Sequence, residues 1–64
     1  MTFEEALKAM REGKKVKDIF SPVIWLEAND IWYENEDGIF NYQITTGDVL
    51  SEHWEIVPDA ESKA

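Results

Sequence analysis

The chain has 64 residues, 44% of them hydrophobic, and its 14 acidic and 6 basic side chains give a formal net charge of −8. This length allows one domain, and the apolar and aromatic content excludes an intrinsically disordered chain. With no cysteine in the sequence, a disulfide scaffold is excluded and a reducing, cytoplasmic compartment is expected.

The two ends of the chain predict how far the domain extends. Two of the first five residues are glutamates, so we expect no signal peptide. No apolar run approaches the ~20 residues that span a bilayer, so we expect no membrane association. We predict a single domain over residues 1–58 and a flexible acidic tail over residues 59–64.

Charge is distributed unevenly along the chain. Residues 1–17 hold five basic and three acidic residues, whereas residues 18–62 hold eleven acidic residues and no lysine or arginine. Such a surface repels phosphates, so we expect no direct binding of nucleic acid. It suits a basic protein partner, toward which the chain would mimic nucleic acid, or the basic end of a second copy. The alternative is that the net negative charge serves only to keep the protein soluble.

The first element predicted is a helix over residues 3–12. Thr2 and Glu5 have the spacing of a capping box, in which each side chain accepts the other residue's backbone N–H. The apolar residues that follow recur with helical spacing, and Gly13 suits the position just after the last turn. The apolar stripe consists of Phe3, Ala6, Leu7 and Met10.

Short β-branched and aromatic runs separated by turn residues predict strands after the helix. We expect strands over residues 14–18, 23–28, 31–34, 39–44 and 54–57, a tight turn at residues 29–30 and a hairpin loop at residues 35–38. Thr45 or Thr46 caps a short helical turn over residues 47–50. The sequence therefore predicts an α+β fold: one N-terminal helix packed on a small antiparallel meander sheet of four to five strands.

Alternation along each strand predicts which residues face the helix. We expect the helix side to carry Ile24, Leu26, Phe40, Ile44, Leu50 and Trp54. Trp25 and one of Trp32 or Tyr33 then remain on the far side of the sheet.

The aromatic residues exceed what one helix on one sheet can enclose, because a domain this short buries only ~60% of the surface of its unfolded chain. We therefore predict a second aromatic surface, covered by another copy of the chain or by a flat ligand. The alternative is that these rings only cover a thin sheet edge. Oligomerisation is a usual remedy for so small a fold.

Signals for catalysis and for metal binding are poor. His53 is the one histidine, and no serine lies in a nucleophile motif. Residues 34–38 are rich in oxygen ligands but lack the spacing of a calcium-binding EF-hand loop. We expect no enzymatic activity, no metal and no cofactor.

The remaining chemistry is that of a binding site for a flat, polar ligand. Stacking of a base on an aromatic ring contributes ~1–3 kcal/mol, and phosphates need basic groups. The predicted ligand-binding or interface residues are Trp25, Trp32, Tyr33, Tyr42 and Trp54, with Arg11, Lys14 and Lys17 for phosphates. Since the basic residues and the rings lie in different segments, we expect a pocket between two subunits to bring them together.

Residues 2–16 and 47–57 resemble the opening and the ending of the Thoeris anti-defence 2 family of small phage proteins. The resemblance covers the capped helix and the final strand with Trp54, the one residue carried over from the family. Residues 18–22 stand where the family usually has a tryptophan, and His53 replaces its usual acidic residue.

The resemblance implies a compact homo-oligomer in the host cytoplasm. Such a protein sequesters a cyclic ADP-ribose immune signal, without cleaving it, between its subunits. Beside this implied ligand, a cyclic oligonucleotide signal is the other nucleotide partner that we consider. Two alternatives stay open. One is an acidic inhibitor or adaptor that blocks a host defence enzyme, and the other is an accessory phage protein with no ligand.

Overall fold

The computed structural model describes residues 1–58 and confirms the α+β class. Two helices and five strands follow in the order α1 (Phe3–Arg11), β1 (Lys15–Lys17), β2 (Ile24–Glu27), β3 (Asp30–Asn35), β4 (Gly38–Asn41), α2 (Thr46–Leu50) and β5 (Glu55–Val57). The predicted tail over residues 59–64 lies outside the described residues. Within the described part, neither helix has the length and apolar character needed to cross a membrane.

Helix α1 begins where the capping box predicts. The Glu5 backbone N–H donates to Thr2 Oγ1 over 3.3 Å, and the Thr2 backbone N–H donates to Glu5 Oε1 over 2.9 Å. The bond from the Thr2 backbone, and then that from its hydroxyl, lower the pKa of the exposed Glu5 carboxyl. The helix ends at Arg11, and Gly13 follows in the left-handed region with φ 88°, which glycine adopts without steric cost.

The five strands form one antiparallel sheet in the order β4-β3-β2-β1-β5. Strands β1 to β4 follow the predicted meander. Strand β5 does not extend the meander beside β4 but pairs with β1 at the opposite edge of the sheet. Helix α2 lies on the connection from β4 to β5.

The turn between β2 and β3 lies one residue earlier than predicted. Glu27 pairs with Asp30, so the two turn residues are Ala28 and Asn29, with φ 54° and 62°. Positive φ at both central residues matches a type I′ turn, whose twist suits a hairpin. The sequence predicted the turn at Asn29 and Asp30 because alanine rarely adopts a positive φ.

The core lies between α1 and the β1, β2 and β5 part of the sheet. Trp54 is 2% exposed, its ring centre lies 5.6 Å from that of Phe3, and its indole N–H donates to the Asp48 carbonyl over 2.9 Å. The buried cluster consists of Ala6, Ala9, Met10, Val16, Ile24 and Trp54.

The prediction that Leu50 belongs to the core is wrong, since it is 73% exposed. In α2 the buried residue is Asp48. Leu50 lies two positions further along the helix, about 200° around its axis, and therefore points away from the core. Phe40 faces the helix side as predicted but is 43% exposed, because α1 covers β1, β2 and β5 and not β4.

Candidate functional site

Two indoles lie side by side on the outer face, the side of the sheet opposite α1. Trp25 on β2 stands directly opposite Trp32 on β3, which in turn stands opposite Asn41 on β4. Both indoles are half-buried. Tyr33 pairs with Ile24 and so faces the helix side, which leaves Trp32 as the second outer ring.

A lysine of β1 extends this row of side chains. Lys15 Nζ lies 4.7 Å from the centre of the Trp25 ring, within the range of a cation–π interaction. The expected separation between the basic residues and the rings therefore does not hold for Lys15, because strand pairing places β1 next to β2. An ammonium group and an indole face meet within a single copy of the chain.

Glu27, at the end of β2, accepts a hydrogen bond from each of the two indoles. The Trp25 indole N–H donates to Glu27 Oε1 over 3.3 Å, and that of Trp32 donates to the Glu27 carbonyl over 2.9 Å. With both N–H groups occupied, the parts of the rings left for a partner are the faces that Lys15 does not cover. A groove of about 190 Å³ lies here, lined by Trp25, Glu27, Trp32 and Ile39.

The size of the outer groove limits what it can hold. Sites that enclose a drug-sized ligand have volumes of about 300–1,000 Å³. A groove of about 190 Å³ has room for one flat ring rather than a whole nucleotide. The rest of such a ligand would lie on the surface or against a second copy. Ile39, 56% exposed at the groove, adds apolar area to either contact.

The other predicted site residues lie in separate places. Trp54 is in the core, so its indole has no free face. Tyr33 and Tyr42 pack edge to face on the helix side, with ring centres 5.6 Å apart. The three predicted basic residues are exposed or half-buried and lie outside the outer groove. Lys14 pairs with Glu12 over 3.5 Å, and Lys17 pairs with Glu55 over 3.4 Å. Arg11 is the last residue of α1.

Sequence reasoning missed a larger cavity beside α2, which we name the α2 pocket. Its volume is about 560 Å³, and its lining includes Asp18, Phe20, Tyr42, Asp48, Leu50 and Ser51. These residues come from the β1–β2 connection, the position just after β4, and α2 with its C-cap. The one local signal was the capping box of α2, in which the Thr45 and Asp48 side chains each accept the other residue's backbone N–H.

Two buried carboxyl groups line this pocket. Asp48 Oδ2 accepts from the Tyr42 hydroxyl and from the Thr45 backbone N–H, both over 3.0 Å, and Asp18 Oδ1 accepts from the Ser51 hydroxyl over 2.7 Å. Burial, followed by the bond to Asp48 and by the charges of both aspartates, raises the pKa of Tyr42 to about 12. The phenol therefore acts as a hydrogen-bond donor at neutral pH.

Ser51, Asp18 and His53 share the α2 pocket but are not arranged as a nucleophile system. The Ser51 hydroxyl donates directly to Asp18, and it accepts from the His53 backbone N–H over 3.2 Å. Within residues 1–58, the His53 ring makes no hydrogen bond to either residue. A general base that takes the serine proton needs that contact.

Comparison with protein families, with curated proteins and with solved structures found no match to this chain. The resemblance to the Thoeris anti-defence 2 family stays a prediction.

Proposed function

We propose that this chain is a non-catalytic binding protein that sequesters a cyclic nucleotide signal, with a base of the signal stacked on the outer-face indoles. The observation that carries the proposal is the row of Lys15, Trp25 and Trp32 on the face that α1 leaves uncovered. The resemblance to a family of phage anti-defence proteins suggests the ligand class: a cyclic ADP-ribose or a cyclic oligonucleotide.

The chemistry of the row suits such a ligand. Stacking of one base on an indole contributes ~1–3 kcal/mol. The Lys15 ammonium group next to Trp25 can attract a phosphate attached to the stacked nucleoside. The Glu27 carboxylate at the groove offers acceptor oxygens to ribose hydroxyls. Release of the intact signal on denaturation is expected, because binding without cleavage is what sequestration requires.

We also propose that the chain forms a homo-oligomer whose contact includes the outer face. A groove of about 190 Å³ leaves most of a cyclic nucleotide uncovered, and a second copy supplies the missing wall. Exposed Ile39 and the two half-buried indoles offer the apolar area for this contact. The same surface then binds the partner copy and the ligand.

Calorimetric titration with a panel of cyclic ADP-ribose isomers and cyclic oligonucleotides tests the proposal. We expect saturable heat with at least one of them, and a loss of affinity of about tenfold or more in Trp25→Ala and in Trp32→Ala. Phe40→Ala is the matched control, because it truncates an aromatic residue on the opposite side of the sheet. Absence of heat with every nucleotide at tens of micromolar protein would remove this proposal.

A second candidate function, an acidic protein that blocks a basic host enzyme, is favoured by the β3–β4 hairpin. Glu34, Glu36 and Asp37 are all exposed there, and residues 18–58 contain no lysine or arginine to offset them. Binding of this kind weakens steeply as salt rises, because exposed charges are screened within about 10 Å at 0.1 M.

Charge reversal separates the two functions. Replacing Glu34, Glu36 and Asp37 by lysine should abolish binding to a basic protein partner but should not weaken nucleotide binding, because the added positive charge attracts phosphates. The triple variant should fold, since all three side chains are exposed. If the triple variant lost nucleotide affinity while Trp25→Ala kept it, the nucleotide site would lie on the β3–β4 hairpin and not on the outer indoles.

A further inference from the structure

Two buried carboxyl groups line the α2 pocket. Asp18 and Asp48 are each 5% exposed. The ion pairs within residues 1–58 are Lys14 with Glu12 and Lys17 with Glu55, so neither aspartate has a basic partner there. Burial of a carboxylate is unfavourable unless hydrogen bonds or an opposite charge compensate it.

The two aspartates differ in how well hydrogen bonds satisfy them. Asp48 accepts two hydrogen bonds, from Tyr42 and from Thr45, both at Oδ2, and no described residue donates to its Oδ1. Asp18 accepts one, from Ser51 to Oδ1, and no described residue donates to its Oδ2. Each fully enclosed side-chain nitrogen or oxygen in residues 1–58 has a partner, so Asp18 Oδ2 and Asp48 Oδ1 both keep some contact with open space, and Asp18 is the carboxylate with fewer hydrogen bonds. Asp18 lines the α2 pocket, which is the space available to a donor from outside.

Two exposed apolar side chains line the α2 pocket beside its carboxyl groups. Phe20 is 83% exposed and Leu50 is 73% exposed. Among residues 1–58, no lysine or arginine lines the pocket, whereas a third carboxylate, Glu52, and His53 do. A volume of about 560 Å³ lies within the range of small-molecule sites. Carboxylates next to exposed hydrocarbon select for a cation on an apolar stem and against phosphates.

We propose that the α2 pocket binds an organic cation, a guanidinium or ammonium group carried on an apolar stem, with Asp18 Oδ2 as the principal acceptor. The stem packs between Phe20 and Leu50. This site is separate from the outer face, since none of its lining residues belongs to the indole groove. The ligand can be a free amine or an arginine or lysine side chain of another protein, which present the same chemistry.

Chemical-shift titration of the ¹⁵N-labelled protein tests the site with two probes of the same shape. N-acetylarginine amide carries the guanidinium, and N-acetylcitrulline amide replaces it by a neutral urea. We expect saturable shifts at the backbone amides of Gly47, Ser51 and His53 with the arginine probe, and affinity at least about tenfold lower with the citrulline probe. Equal affinity for the two probes would overturn the proposal, as would the absence of saturation up to about 50 mM.

Asp18→Asn is the direct variant, because its side-chain oxygen can still accept from Ser51. It should weaken the arginine probe about tenfold. Glu12→Gln removes the same charge on the far end of α1 and should leave the affinity unchanged. Equal weakening by both variants would mean that net charge, rather than this site, attracts the probe.

Two rim variants keep the test decisive should Asp18→Asn fail to fold. Phe20→Ala and Glu52→Gln change exposed side chains, and each should weaken the arginine probe about threefold. Unchanged affinity in both would contradict the proposed pose. Agmatine and an acetylated Leu-Arg-Leu amide distinguish the source: tighter binding of agmatine indicates a free amine, and tighter binding of the peptide indicates a protein side chain.

Discussion

The Tyr42 hydroxyl donates to Asp48 Oδ2 over 3.0 Å, and this bond joins the end of β4 to the first turn of α2. The same carboxylate oxygen accepts the Thr45 backbone N–H that begins α2. The carbonyl of Asp48 also accepts the Trp54 indole N–H. One buried aspartate therefore connects the helix cap, a strand end and the core.

Alkaline pH should weaken this junction. The pKa of Tyr42 is raised to about 12 in the folded chain, above the value of about 10 for an unfolded tyrosine. Its contribution to the free energy of unfolding is therefore fully present below pH ~10 and is lost as the pH rises toward ~12. Urea denaturation at pH 8 to 12 measures this loss, and Tyr42→Phe should lower stability by about 1 kcal/mol at pH 8. An equal fall with pH in Tyr42→Phe and in the parent chain would contradict the role of the phenol.

Replacement of Trp54 should be the most damaging of the tryptophan changes. Trp54→Phe leaves a cavity under α1 and an unpaired Asp48 carbonyl, so the free energy of unfolding should fall by about 2–4 kcal/mol. Trp25→Phe on the outer face should cost less than about 1 kcal/mol. Urea denaturation of the two variants checks the order, and a larger loss for Trp25→Phe would contradict the assignment of core and surface.

The β2–β3 turn offers a stabilising change. Ala28 has φ 54°, a conformation that costs a residue with a Cβ about 1 kcal/mol and glycine very little. Ala28→Gly should therefore raise the free energy of unfolding by about 0.5 kcal/mol, after the entropy of the more flexible unfolded chain is subtracted. Ala28→Val should lower it, because a β-branched side chain is strained at positive φ. Thermal unfolding of both variants should show opposite shifts, and shifts of the same sign would contradict the turn geometry.

Self-association should depend on the outer face. Sedimentation equilibrium of the parent chain should give a mass above the 7.4 kDa of one copy, and Trp32→Ala should move it toward the monomer. Phe40→Ala should leave the mass unchanged, since it lies on the helix side. A monomeric parent chain at high concentration would remove the proposed oligomer.

Local patterns predicted much of the fold. The Thr2–Glu5 capping box and the apolar stripe of α1 are determined by residues within a few positions of each other, and so is the alternation along β2 and β3. The placement of Trp25 on the outer face follows from that alternation. The partner of β5 could not be obtained in this way, because pairing with β1 depends on how the chain crosses the sheet after β4.

The sites were harder to predict than the strands. The bond between Ser51 and Asp18 joins residues 33 positions apart, and neither residue stands in a recognisable motif. The approach of Lys15 to Trp25 likewise required the register between β1 and β2. Leu50 was misplaced because an apolar residue in a short helix looks like core, whereas the cap turns Asp48 inward instead.

Calorimetry of the parent chain and of the Trp25→Ala, Trp32→Ala double variant against the cyclic nucleotide panel tests the central claim most directly. We expect the parent chain to give saturable heat that fits one binding site per pocket. We expect no heat from the double variant, provided that it is folded. A nucleotide that binds both proteins equally well would contradict a recognition surface built on these two rings.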